Sequence, residues 1–392
     1  MTDLDLDPDA ELAPETLARH LRAGGQVSVL DVRDRPEFDA WHVDGGGVDA
    51  RHVPHVQFIA AGARGDATDP LPADLAEPIV AVCGRGEASA DTADALREAG
   101  VDAVNLAGGM DEWAVVYLAE PLVDADDVTV TQFQRPSSGC LAYLIVAGEG
   151  DDREACVIDP LRAFTGRYAA ATEEAGATLR YALDTHVHAD HVSGIRSLRD
   201  ATDAAAVVPS GATDRGLAFD PTLLADGETL QIGDVTVEAI HAPGHTSELC
   251  CYRLRRERGP DVVFTGDALF LGSVGRPDLE EGDDGARSLA GRAYDTLHER
   301  LLPLPDDTLV APGHFADLAD ARGDTYAAPL RALWDLDVLS LDRESFVDRV
   351  SASLPPRPAN YERIVAVNLG QESLTDEEAF EAELGPNNCA VE

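Results

Sequence analysis

Short apolar runs separated by amphipathic stretches organise the first part of the chain. Two runs have the length of buried strands, and two stretches have helical spacing: Val27 to Val32, Ile79 to Val82, Pro14 to Ala23 and Asp91 to Glu98. Strands that alternate with helices indicate a parallel sheet. We therefore predict an α/β domain with flanking helices over residues 1–120.

The pattern changes after an acidic stretch at residues 118–130, which we interpret as a domain boundary. Five apolar runs beyond it are predicted strands: Leu141 to Val146, Ala155 to Ile158, Val235 to Ile240, Leu249 to Leu254 and Val262 to Phe264. With helical stretches such as Gly166 to Ala175, they predict a layered α/β domain over residues 121–330. Residues 331–392, with an acidic tail, are predicted to form an extension packed on it.

The charge of the chain is strongly one-sided. It has 73 acidic and 30 basic residues, a formal net charge of -43, and no lysine. Such a surface repels itself at low salt, whereas at molar salt the screening length falls to about 3 Å. Because 44% of the residues are hydrophobic, a disordered chain is not indicated. The composition predicts a halophilic protein and argues against nucleic acid as a partner.

The sequence also predicts a soluble, cytoplasmic protein. Its first residues, MTDLDLDPDAEL, lack the basic start and apolar stretch of a signal peptide, and no apolar run has membrane-spanning length. We therefore expect no membrane partner, and the oligomeric state stays open. Six cysteines without a regular framework favour reduced thiols. Cys389 is interpreted as part of a frayed terminus, with a visit to an active site as the alternative.

The densest cluster of chemically active residues lies in Thr185 to His191, T-H-V-H-A-D-H, directly after the predicted strand Tyr181 to Leu183. Three imidazoles and one carboxylate in so short a loop are typical of a metal site. His245, Asp267 and His314 each follow a glycine just past a predicted strand. We expect one edge of a sheet to bring them together, with enough ligands for one or two metal ions.

This His-x-His-x-Asp-His pattern, with the later His, Asp and His, resembles the metallo-β-lactamase superfamily over roughly residues 127–320. The resemblance implies an αββα sandwich. Three neighbouring stretches resemble its persulfide dioxygenase branch, above all the members fused to a rhodanese domain: Ser138 to Leu144, Val274 to Leu279 and Leu304 to Val310.

The branch resemblance implies one Fe(II) per chain, held by His186, His245 and Asp267. Two histidines and one carboxylate leave positions open for O2 and a substrate. The implied reaction oxidises a low-molecular-weight thiol persulfide with O2 to sulfite and thiol. The remaining members of the set would orient these ligands: His188, Asp190, His191 and His314.

Two questions stay open at this point. The seven ligands also suit two zinc ions, as in a thioester hydrolase of the glyoxalase II kind. For substrate binding, Arg276 is a candidate because its planar fork pairs with carboxylates, although a structural ion pair is the competing interpretation. Tyr143 is a weaker candidate for the same role.

A second candidate site lies in the loop Cys83 to Ser89, between a predicted strand and a predicted helix. A helix N-terminus favours a thiolate and a persulfide formed on it. Together with Asp31-Val32-Arg33 and a Gly-Gly-x-x-x-Trp ending, the loop resembles a single rhodanese domain over roughly residues 11–117. The resemblance implies that Cys83 is the sulfurtransferase nucleophile, with thiosulfate or sulfite as a further substrate.

Two features qualify this second site. Arg85 is a candidate substrate-binding residue, whereas Glu87 opposes thiolate formation. An inert Cys83 and a nonenzymatic sulfur carrier remain alternatives. Asp31 and Arg33 are predicted to form a structural pair.

Overall fold

The computed structural model describes residues 11–352, 354–358, 360–385 and 389–391. Its first part contains a four-stranded parallel sheet in the order β2-β1-β3-β4. The strands are β1 Val27–Asp31, β2 Val48–His52, β3 Ile79–Val82 and β4 Ala103–Asn105. The flanking helices are α1 Pro14–Arg22, α2 Arg35–Ala40, α3 His55–Arg64, α4 Glu87–Glu98 and α5 Gly109–Ala114. The predicted N-terminal parallel sheet with flanking helices is confirmed.

The central strands β1 and β3 are buried along their whole length because helices cover both faces of this sheet. Val29 and Val82 pack into the cluster on one face, and Leu30 and Ala81 into the cluster on the other. Strand β3 leads directly into the loop of Cys83.

A seven-stranded mixed sheet follows, in the order β11-β10-β9-β8-β7-β6-β5. Its strands are β5 Leu118–Asp124, β6 Val128–Gln134, β7 Leu141–Ala147, β8 Glu154–Ile158, β9 Thr178–Leu183, β10 Ala205–Pro209 and β11 Thr222–Leu224. A six-stranded sheet has the order β12-β13-β14-β15-β17-β18. Its strands are β12 Thr229–Ile232, β13 Val235–His241, β14 Cys250–Arg255, β15 Val262–Gly266, β17 Leu309–Pro312 and β18 Ala328–Pro329. Two short strands pair separately: β16 Val274–Gly275 and β19 Ala390–Val391.

The two larger sheets form the middle layers of an αββα sandwich. Their facing side chains, such as Ile145 and Phe264, form one apolar core. The outer layers are α6 Thr165–Glu174 and α7 Ile195–Thr202 on one side, and α8 Gly282–Thr296 and α9 Arg343–Ala352 on the other. The predicted sandwich is therefore confirmed.

The acidic stretch at residues 118–130 is not a linker. It contains β5 and the start of β6, which pair as an antiparallel hairpin, so the predicted boundary after residue 120 falls inside a strand. Alternation hides this strand in the sequence: Val123 points into the core, whereas Glu120 pairs with Arg19 and Arg22.

The last described residues pack on the sandwich through α10 Tyr361–Asn368 and α11 Asp376–Ala382. Ile364 and Val367 share a buried cluster with Val192. Cys389 is fully buried, and β19 pairs with β16, so the expectation of a frayed end around Cys389 is wrong. Among the described residues, no helix combines the length and the apolar character that a membrane span requires.

The acidic surface leads to a prediction about salt. We expect the unfolding midpoint of the chain to rise by on the order of 10 °C between 0.1 and 2 M KCl, because screening removes self-repulsion of the folded state. Thermal unfolding followed by circular dichroism measures this. Sucrose of equal osmolality is the control, since it favours burial without screening charge. A midpoint that stays constant or falls with KCl contradicts the prediction.

Candidate metal centre and cysteine loop

Three loops at one end of the sandwich bring His186, His245 and Asp267 together. The three loops follow β9, β13 and β15, and all three side chains are buried. Their ligand atoms lie within 4.8 Å of one another. Asp267 Oδ2 is 3.6 Å from His245 Nε2 and 3.9 Å from His186 Nε2, too far for hydrogen bonds.

The other polar atom of each of these three residues is already held by a neighbour. His186 Nδ1 lies 2.9 Å from Thr185 Oγ1, and His245 Nδ1 donates to the carbonyl oxygen of Arg276 at 2.8 Å. His314 Nδ1 is 2.7 Å from Asp267 Oδ1. Such contacts orient metal-ligating side chains and fix which imidazole nitrogen offers its lone pair.

Gly313 allows the loop of His314 to approach Asp267 this closely. A Cβ at position 313 would lie 2.6 Å from Asp267 Oδ1. Any other residue would therefore push the His314 loop away from the carboxylate.

The electrostatics of the trio suit a cation. Burial, followed by the neighbouring His188 and His245 rings, holds the pKa of His186 well below its usual value. Burial also lowers the pKa of His245. For Asp267, burial by itself raises the pKa, but the neighbouring His314 outweighs burial, so the pKa of Asp267 is lowered. Neutral imidazoles and an ionised carboxylate are the protonation states that bind metal.

Two donor atoms of the trio lack hydrogen-bond partners, as expected for atoms that bind a metal ion. His186 Nε2 and Asp267 Oδ2 are buried and have no hydrogen-bond partner in the structure. Buried polar atoms without partners are costly, and a metal ion would satisfy both. Two atoms each about 2.1 Å from one ion lie about 3 to 3.5 Å apart, close to the distances found here. The residues present fit a metal bound by two histidines and one carboxylate.

A second group lies beside the trio, and some of its polar atoms hydrogen-bond with one another. Asp190 Oδ2 is 2.8 Å from His314 Nε2, 3.2 Å from His191 Nδ1 and 3.3 Å from Cys140 Sγ. Burial by itself raises the pKa of Asp190, but the two rings outweigh it and hold that pKa well below its usual value. These hydrogen bonds occupy Asp190 Oδ2 and His314 Nε2, whereas Asp190 Oδ1 and His191 Nε2 are buried without a partner.

His188 belongs to a third group, although the centre of its ring lies only 4.1 Å from that of His186. Its Nε2 is 3.1 Å from Asp159 Oδ1 and 3.9 Å from Asp184 Oδ1. Although burial lowers the pKa of His188, the Asp159 carboxylate outweighs that effect and the pKa is raised. The seven predicted ligands thus belong to three groups, and each group has at least one buried donor atom without a hydrogen-bond partner. These atoms are His186 Nε2 and Asp267 Oδ2 in the trio, Asp190 Oδ1 and His191 Nε2 in the second group, and His188 Nδ1 in the third.

The cysteine loop follows β3 and precedes α4, as expected for a nucleophile at a strand end. Cys83 Sγ is buried and accepts hydrogen bonds from Gly86 N at 3.1 Å and Ser89 Oγ at 3.2 Å. Arg85 is exposed and lies 3.5 Å from Asp111. Arg33 forks onto Asp31, so the predicted structural pair is confirmed.

Comparison with known proteins supports both parts of this description. The family model of the metallo-beta-lactamase superfamily matches residues 136–314, and the rhodanese-like domain model matches residues 13–115. The human mitochondrial persulfide dioxygenase ETHE1 is 30% identical over 242 residues, which cover 62% of this chain and 88% of that protein. The crystal structure of ETHE1 from Myxococcus xanthus is 29% identical with a TM-score of 0.51, covering 65% of this chain and all of that one.

This chain belongs to the persulfide dioxygenase branch of the metallo-β-lactamase superfamily. It combines that fold with an N-terminal rhodanese-like domain. A hydroxyacylglutathione hydrolase from Synechococcus is also similar, at 34% identity over 183 residues, covering 46% of this chain and 67% of that protein.

In this chain of the persulfide dioxygenase branch, the two residues of the sandwich that were predicted to contact substrate, Arg276 and Tyr143, have partners within the protein. Arg276 is buried and forks onto Asp278, at 2.7 Å and 3.0 Å, so its guanidinium forms the structural ion pair considered above. Its Nη1 also donates to the carbonyl oxygen of Pro356 at 3.0 Å. Tyr143 lies in the core between the sheets, where its hydroxyl donates to the carbonyl oxygen of Pro312 at 2.6 Å. Substrate binding by Arg276 or Tyr143 stays a prediction.

A cavity of about 1090 Å³ opens between the rhodanese-like domain and the sandwich. Residues of both parts line it, among them Trp41, His42, Ser138, Phe270, His314 and Ala390. His314 connects the cavity with the metal centre, because its Nδ1 lies 2.7 Å from Asp267 Oδ1. Trp41 Nε1 donates to the carbonyl oxygen of Ser137 across the boundary, 3.3 Å away. The cavity is large enough for a small thiol compound.

Two residues that hold the histidine loop were not predicted from the sequence. Asp159 Oδ1 accepts from Thr185 N at 2.6 Å, and Glu248 Oε1 accepts from Val187 N at 2.8 Å. Asp159 follows β8 directly, so the strand-end rule that identified the ligands would also have identified it. No comparable signal marks Glu248.

Proposed function

We propose that this chain is a mononuclear iron persulfide dioxygenase whose N-terminal domain transfers sulfane sulfur. The observation that carries the proposal is the trio His186, His245 and Asp267, which presents two imidazole nitrogens and one carboxylate oxygen at one buried point. This ligand set is typical of Fe(II) sites with positions open for O2 and substrate.

Bound iron would supply open coordination positions and redox chemistry for a persulfide and O2. His186 and His245 would hold it through Nε2, and Asp267 through Oδ2. His314 keeps the carboxylate of Asp267 in place, and the Arg276 carbonyl does the same for the His245 ring. These groups are almost completely buried, so bulk water is excluded from them. Exclusion of water protects sulfur species from side reactions.

The balanced overall reaction is RSSH + O2 + H2O → RSH + SO3²⁻ + 2H⁺, where R is a low-molecular-weight thiol carrier. We propose that the carrier enters through the cavity beside His314. In the first domain, the Cys83 thiolate would accept a sulfane sulfur and pass it on. When sulfite is the acceptor, the cysteine persulfide becomes a thiolate again and thiosulfate is released.

The hydrogen bond between His314 Nε2 and Asp190 Oδ2 supports one metal rather than two, because it occupies a nitrogen that a second ion would need. Asp190 Oδ1, His191 Nε2 and His188 Nδ1, however, are buried without a partner, so the residues present would also allow a second ion. A binuclear zinc hydrolase is nevertheless the main alternative, because the hydroxyacylglutathione hydrolase shares the fold at 34% identity.

Metal analysis combined with an oxygen electrode tests the proposal. We expect the wild-type chain reconstituted with Fe(II) to hold one iron and to consume O2 on addition of a thiol persulfide, releasing one sulfite per O2. The zinc-loaded chain is the control and should consume none. Two zinc ions per chain, with thioester hydrolysis and no persulfide-dependent uptake, would support the hydrolase instead.

A further inference from the structure

The loop that carries His186, His188 and His191 runs from β9 to α7 without regular structure, so its backbone groups need partners elsewhere. Side chains supply many of these partners. Those on the sandwich itself are Asp159 and Glu248, described above. Two further partners come from the C-terminal helices.

Asn368, the last residue of α10, makes three hydrogen bonds to this loop. Its Nδ2 donates to the carbonyl oxygens of His188 and His191, each at 2.9 Å. Its Oδ1 accepts from Ser193 N, also at 2.9 Å. One amide therefore clamps both ends of the turn that contains Ala189 and Asp190.

Glu383, just past α11, makes a second attachment. Its Oε1 accepts from Val192 N at 2.8 Å, and its Oε2 pairs with the buried guanidinium of Arg135 at 2.8 Å. Both Asn368 and Glu383 are more than nine-tenths buried. Because these contacts reach the loop from more than 170 residues away in sequence, only the folded chain provides them.

We propose that Asn368 is a positioning residue for the metal centre, with Glu383 as its second anchor. Asn368 touches neither substrate nor metal and acts by fixing the backbone at His188 and His191, and through it the loop that presents His186. The inference rests on the proposed metal centre at His186, His245 and Asp267. Changes to groups that orient metal ligands typically weaken metal binding by about 10- to 100-fold.

Cobalt(II) titration of the full-length apo chain, followed by visible absorption against a competing chelator, tests the proposal. For Asn368→Ala we expect a Kd about 10- to 100-fold higher than that of the wild type, with a changed ligand-field spectrum. Asn368→Asp has nearly the same shape and keeps the acceptor for Ser193 N but loses both donated bonds. It should also bind cobalt more weakly, and it serves if Asn368→Ala does not fold.

Gln371→Ala is the matched control. Gln371 lies on the same extension and donates to the carbonyl oxygen of Gly216 at 2.8 Å, away from the metal loop, so its loss should leave the Kd and spectrum unchanged. Urea unfolding of each apo chain reports stability separately. If both Asn368 variants lose stability but keep the wild-type Kd and spectrum, Asn368 is merely structural and the proposal is wrong. A wild-type chain that binds no cobalt would instead overturn the proposed metal centre.

Discussion

Asp267→Ala should bind Fe(II) more than about 100-fold more weakly than the wild type and should show no persulfide-dependent oxygen uptake. Loss of a group that only orients a ligand costs about 10- to 100-fold, so loss of the carboxylate ligand itself should cost more. Asp267 is the one carboxylate of the trio, and it also holds His314. Metal content after dialysis and an oxygen electrode measure the two effects.

Asp261→Ala is the control for this substitution. Asp261 pairs with Arg253 directly before β15, at the opposite end of that strand from Asp267. It lies outside the trio, so both metal content and oxygen uptake should stay near the wild-type values. Iron retained by Asp267→Ala at full stoichiometry would contradict the ligand assignment. Iron lost while oxygen uptake persists would contradict the dioxygenase proposal.

Cys83→Ser should lower thiosulfate sulfurtransferase activity by about 10³-fold or more, because a serine hydroxyl is not ionised near neutral pH and cannot carry a persulfide. The loop around the sulfur should survive, since Gly86 N and Ser89 Oγ donate equally well to an oxygen. Oxygen uptake should be unchanged, because Cys83 neither belongs to the trio nor lines the cavity. Thiocyanate formation from thiosulfate and cyanide measures the transfer.

Cys156→Ala provides the matched control, since Cys156 is a thiol buried in the core between the sheets and touches neither site. It should keep both activities. Unchanged sulfurtransferase activity in Cys83→Ser would show that Cys83 is inert. Loss of oxygen uptake together with sulfur transfer would show that the two domains are obligatorily coupled.

Local sequence patterns were sufficient for the elements that bury one continuous apolar surface. The helix at Pro14–Arg22 and the strands at Val27–Asp31 and Leu141–Ala147 follow from periodicity, because a buried run must be apolar whatever it packs against. The hairpin at 118–134 was missed because an edge strand has one solvated face, and its alternating acidic residues are also typical of a linker.

The metal site shows the same division. The sequence by itself determined that His186, His245 and Asp267 follow strands of one domain, since glycine turns at strand ends are local features. Only the tertiary structure decided how the seven ligands divide into three groups, and that Arg276 and Tyr143 are committed to Asp278 and Pro312. It also decided that Asn368 reaches the histidine loop. Such contacts depend on where separate elements pack in space, and no local pattern in the chain encodes those distances.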